Sequence, residues 1–228
     1  MCGGFIKKVQ HKSKCCNCTM TFNIFLPPIS KAPVLYYLAG VRSTEDKGPQ
    51  KSDFARYASK HSLVVVFPDT SPRNLTFPEV EENKDWRLGY SAGHYCDATN
   101  QPWSENFNMF TYVTQELPAL IKLSFDVSPS KQSIMGHSMG GNGALVAACR
   151  SEYLSVSALA PICSPATSPY CELAIEKYFG GDVTLFKPFS IAHLDGELPP
   201  ALVDCGTSDE WMEWLEPQKL NKEVTWRW

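Results

Sequence analysis

The stretch Ile134-Met135-Gly136-His137-Ser138-Met139-Gly140-Gly141 decides how this chain is read. It is a G-x-S-x-G turn set between a short apolar run (Gln132-Ser133-Ile134-Met135) and a small-residue helical segment, Gly143 to Cys149. A strand–turn–helix context is what this motif requires, because the sharp turn lifts the serine hydroxyl above the sheet edge. Side chains two residues to either side would collide in such a turn, and both positions are glycine, Gly136 and Gly140. Ser138 is therefore the candidate nucleophile, with a helix N-terminus behind it to favour developing negative charge.

Outward from the turn, Val34-Leu35-Tyr36-Tyr37-Leu38 and Leu63-Val64-Val65-Val66-Phe67 are continuous apolar runs, as are Val156-Ser157-Ala158-Leu159 and Ala201-Leu202-Val203. Such runs suit strands buried on both faces of a mostly parallel sheet. Residues 19–26 alternate instead, with Met20, Phe22, Ile24 and Leu26 on one face before Pro27-Pro28, and pair with the segment from Phe5 to Gln10. Asp53 to Ser59 reads as a short helix, and residues 105–123 as a long one that Pro118 bends or ends early. The segment from Asp69 to Trp103 is irregular but rich in aromatics, which points to an ordered loop near a site. Alternating strands and helices imply one α/β domain over residues 1–228.

Composition narrows the function. Net charge is −3, hydrophobic residues make up 43% and charged residues 20%, with no basic run to track a phosphate backbone, so nucleic acid is not an expected partner. No apolar stretch approaches the roughly 20 residues of a membrane span, and the first residues carry no signal-peptide pattern, so the expected location is cytoplasmic. Nine cysteines in that setting are expected to be reduced, and Cys15-Cys16-Asn17-Cys18 lacks a second ligand pair for zinc. No zinc site is expected there.

An oxyanion hole needs two backbone amides aimed at the reacting carbonyl oxygen. Met139, after the nucleophile, is one candidate, and Val41, after the close-approach residue Gly40, is the other. The acid should follow a later strand, where Asp204 and Asp209 both occur; Asp209, on the loop past Gly206, is favoured.

These features, with Phe25-Leu26-Pro27-Pro28, Leu38-Ala39-Gly40, Pro68-Asp69-Thr70-Ser71-Pro72-Arg73, Gly93-His94-Tyr95-Cys96-Asp97-Ala98-Thr99, Tyr112 to Pro118 and Ala158 to Pro165, resemble the S-formylglutathione hydrolase (esterase D) family. The resemblance runs from Cys2 to about Trp211. It implies an α/β-hydrolase fold with helices on both faces of the sheet, and a cofactor-free serine thioesterase or carboxylesterase. S-formylglutathione or small acyl esters would be the substrates, in formaldehyde detoxification. The family's triad serine and aspartate fall on Ser138 and Asp209. Gly40, His137 and His94 are expected at the substrate, with His137 turned into the elbow packing and His94 serving the acyl pocket or its packing. Ser43 stands where family members often carry a cysteine.

The family's triad histidine should lie beyond the acid, but the histidines are His11, His61, His94, His137 and His193, and none follows Asp209. The expectation is a C-terminally incomplete domain without the final strand and helix, leaving an exposed sheet edge. An alternative reading is then a catalytically impaired fragment that at most binds a partner or forms a homodimer. His193 is the weak surrogate for the base.

Overall fold

The structure, a computed structural model, describes residues 2–81, 84–220, 222 and 224–227. It is built on an eight-stranded sheet in the order β1-β2-β4-β3-β5-β6-β7-β8. Phe5–Ser13 (β1) and Cys18–Leu26 (β2) form the antiparallel pair expected from their patterning, and β2 also runs antiparallel to Val64–Pro68 (β4). From β4 onward the sheet is parallel, through Ala32–Leu38 (β3), Val127–His137 (β5), Val156–Leu159 (β6) and Ala201–Asp204 (β7).

The period-2 geometry of strands sorts side chains between the two faces. On β4, Val64 and Val66 join the large core, whereas Val65 and Phe67 pack with Phe25 and Ala58 in a smaller cluster on the opposite face. The helix Phe54–Lys60, which carries Ala58, covers that second face, and the helix Met139–Arg150 lies buried in the large core. The all-apolar reading of β4 is thus the signature of a strand covered on both sides.

Two elements differ from the sequence reading. The long helix begins at Met109, not near 105, and Tyr112–Glu116 takes π-helical form before the helix Leu117–Ser124. The wider turn accommodates Pro118, which cannot donate into an α-helical ladder. Beyond β7, where no further strand was expected, Thr225–Arg227 forms β8, parallel to β7 with Leu202 opposite Thr225. Three residues are enough to continue the hydrogen-bond ladder along the β7 edge.

The irregular stretch after β4 is ordered by burial. Tyr95, Cys96 and Trp103 are fully buried, and Trp103 packs edge-on against Phe107 with ring centroids 4.9 Å apart. This segment supports the C-terminal ends of the central strands, where ligands bind in open parallel sheets. No helix among the described residues is long and apolar enough to cross a membrane.

Candidate active site

Strand β5 ends at His137, and Ser138 follows with φ 55° and ψ −119°, a conformation that costs a non-glycine residue about 1–3 kcal/mol. Surrounding contacts hold it there. The Ser138 amide donates to the Leu159 carbonyl at 2.9 Å, while the Ser138 carbonyl accepts from Gly141, Asn142 and Ile162. A Cβ on Gly136 would lie 2.0 Å from the Gly140 carbonyl oxygen, and one on Gly140 would lie 2.1 Å from that of Leu38. Both glycines are therefore sterically obligatory, as the motif required.

The loop after β3 approaches the serine from the other side. A Cβ built on Gly40 would sit 3.0 Å from His137 Nδ1 and 3.2 Å from Ser138 Cβ, so the backbone bearing Val41 passes directly over the elbow. The loop is clamped by the Pro68–Arg73 motif. Asp69 holds Arg73 in an ion pair, and Arg73 Nη2 reaches the Ser43 carbonyl (3.3 Å) and Ser91 Oγ (2.8 Å). Thr70 Oγ1 donates to the same Ser43 carbonyl, the Arg42 amide donates to the Ser91 carbonyl, and the Tyr95 hydroxyl donates to the Ala39 carbonyl. Neither the Val41 nor the Met139 amide donates to a turn or loop carbonyl among the described residues.

Ser138 opens into a pocket of about 380 Å³ that is also lined by Gly40, Val41, His137 and Asp209. Asp209, not Asp204, is the carboxylate brought to this pocket; its Oδ1 accepts the Trp211 amide at 2.8 Å, while the Asp204 carbonyl serves the sheet edge at Ala160. His137 is exposed in the pocket wall and not turned into the elbow packing, which corrects the expectation for that ring. Desolvation by the wall lowers its pKa below the ordinary histidine value; the Asp209 charge opposes that shift and the Lys51 charge adds to it.

Three of the other histidines are engaged elsewhere. His94 does not line the pocket. It is buried behind Tyr170, with ring centroids 5.6 Å apart, and Nε2–H donates to the Arg87 carbonyl at 2.9 Å. Full burial pushes its pKa down to about 4. His193 shares a hydrogen bond with Ser190 and His11 one with Tyr112, both away from the pocket. Among the described residues no His, Cys, Asp and Glu cluster could hold a metal ion.

Sequence reasoning missed most of the pocket wall. Trp86, Tyr170, Trp211 and Trp214 come from three separate segments and meet as one aromatic surface, with the Trp86–Trp211 centroids 6.1 Å and the Trp211–Trp214 centroids 5.0 Å apart. Lys47 and Lys51 line the pocket too. The richness in aromatics of residues 69–103 was the one advance signal, and it reached only Trp86.

A strained serine between a parallel strand and a buried helix, under a clamped amide loop, defines a serine hydrolase of the α/β-hydrolase class. The family model described as "Putative esterase" matches residues 13–225. The S-formylglutathione hydrolase of Mus musculus is 41% identical over 219 residues, which is 92% of this chain and 77% of the mouse protein. That of Paracoccus denitrificans is 38% identical over 96% of this chain and 80% of its own length. The solved structure of an S-formylglutathione hydrolase from Agrobacterium tumefaciens superposes with a TM-score of 0.93 at 37% identity, covering all of this chain and 87% of that one. The chain belongs to this esterase family, among its S-formylglutathione hydrolases.

Proposed function

We propose that this chain hydrolyses S-formylglutathione to glutathione and formate, and accepts small acyl esters, as a cytosolic step of formaldehyde catabolism. The observation that carries the reading is Ser138, held at a positive φ in the lining of a pocket, beneath the loop that bears Gly40 and Val41. In this mechanism Ser138 Oγ attacks the thioester carbonyl carbon, and the oxyanion that forms takes hydrogen bonds from the Val41 and Met139 amides. Collapse breaks the C–S bond, the departing sulfur takes the proton given up by the Ser138 hydroxyl, and water then adds to the acyl carbon, releasing formate and returning a proton to the serine oxygen. Asp209 is the acid of the site. Gly40 and His137 border the reacting carbonyl, and His94 supports the Tyr170 wall from behind.

The alternative of a non-catalytic fragment rests on the lack of a histidine after Asp209, and it is outweighed by relatives named as hydrolases that match along most of this chain. Pairing into a homodimer through a sheet edge remains a separate proposal, which sedimentation at several concentrations tests. Comparing S-formylglutathione with longer-chain esters tests the substrate assignment. The assignment predicts a higher kcat/KM for the thioester, and a preference for long acyl chains would reject it.

A further inference from the structure

The lining of the Ser138 pocket combines the aromatic surface of Trp86, Trp211 and Trp214 with an excess of cations. Its charged lining residues are Arg42, Lys47 and Lys51 and a single acid, Asp209. In a chain of net charge −3, this local excess of cations runs against the overall balance.

Local pairing does not explain it. The acids next in sequence are already engaged: Glu45 and Asp46 both hold Lys8, at 2.9 and 2.6 Å, and Asp53 holds Arg56 at 3.6 Å. Among the described residues, Lys47 and Lys51 have no ion-pair partner. They lie four residues apart on the short helix Lys47–Lys51, so their ammonium groups are neighbours, an arrangement that disfavours an isolated helix through like-charge repulsion. The helix is pinned by its other face. A Cβ on Gly48 would fall 2.6 Å from the Phe67 ring and 3.0 Å from Tyr37, so the turn seats on the core and presents both lysines to the pocket. Lys51 stands near enough to His137, beside the serine, for its charge to act on that ring.

We infer that Lys47 and Lys51 form a docking ledge for a carboxylate of the thiol leaving group. The ledge separates glutathione thioesters, with carboxylates at both ends of the tripeptide, from neutral acyl esters. The inference rests on the reading of the pocket as a thioesterase site and assigns two specificity-determining side chains to it. The lysines act on binding and leave the chemistry at Ser138 alone. Both are polar-face residues whose replacement by glutamine keeps the stem and removes the charge.

Calorimetric titration of S-methylglutathione, a thioether that cannot be hydrolysed, tests the ledge. For Lys47→Gln or Lys51→Gln alone, Kd should rise about threefold, and for the double variant about tenfold. Added salt of about 0.5 M should bring the unaltered protein close to the double variant, because exposed charge pairs are screened. The dimethyl ester of the probe should bind all four proteins alike. A double variant with unchanged Kd and no loss of salt sensitivity would overturn the inference. So would absent binding to the unaltered protein in which Ser138 still takes a fluorophosphonate, an outcome that leaves the esterase reading standing. Charge-dependent probe binding with an unreactive Ser138 would uphold the ledge and count instead against the proposed chemistry.

Discussion

The elbow at 134–141 and the aromatic wall of the same pocket are held together in opposite ways. In the elbow, the constraints fall on backbone atoms, those of the turn itself and those of Leu38 and Leu159 on the neighbouring strands. Gly136 and Gly140 meet backbone atoms at about 2 Å if given a Cβ, and the strain at Ser138 is balanced by hydrogen bonds from its own helix and the adjoining strand. The wall is assembled from Trp86, Tyr170 and the Trp211–Trp214 turn, whose only local rule is that large rings need large neighbours. Backbone-determined geometry tolerates almost no substitution, whereas side-chain-determined geometry changes by degrees. Chemistry is placed on the first kind of structure and substrate fit on the second.

This contrast can be broken most directly at the serine. Ser138→Ala should remove ester hydrolysis by several orders of magnitude without altering the fold, as measured by turnover and circular dichroism. Next, Gly140→Ala should destabilise the protein by more than about 3 kcal/mol in denaturant unfolding, because its Cβ would overlap the Leu38 carbonyl. A mild effect there would mean that the elbow is not backbone-determined.

The layer behind the wall predicts an acid sensitivity of comparable size. His94 is held neutral in the folded protein with a pKa of about 4, against about 6.5 unfolded. Below pH 6.5 the unfolded chain binds the proton first, so stability is complete above that value and falls as pH drops toward 4. The loss amounts to about 3 kcal/mol from this residue. A His94→Gln variant should show a flatter stability profile between pH 6.5 and 4 than the unaltered protein, whatever its stability at pH 7.

The smallest effect belongs to the wall itself. Trp211 is 44% exposed and Trp86 36%, so Trp211→Ala should cost about 1 kcal/mol or less in stability and act chiefly on KM. A large fall in kcat with unchanged KM would place Trp211 in the chemistry.

The same contrast explains what was legible in the sequence. The strands, the elbow and the candidate amides of Val41 and Met139 are encoded by local pattern, and Asp209 followed from its place after a buried strand. The Pro68–Arg73 motif stood out as specific, but its physical role as the clamp on the loop bearing Val41 depends on Ser43 and Ser91, which no spacing rule connects to it. For His94 the aromatic segment left open a place at the acyl pocket or in its packing; the ring lies behind Tyr170, which spacing does not decide. The strand at Thr225–Arg227 was missed because three residues carry too little pattern to be read, although they suffice to extend a ladder.

The central claim is that Ser138 is a nucleophile poised by this geometry. Incubating the 228-residue protein with a fluorophosphonate and locating the adduct by peptide mass spectrometry tests it most directly. The account predicts one stoichiometric adduct on the peptide carrying Ser138, absent in Ser138→Ala. An unmodified Ser138, or an adduct at another residue that persists in the variant, would contradict it.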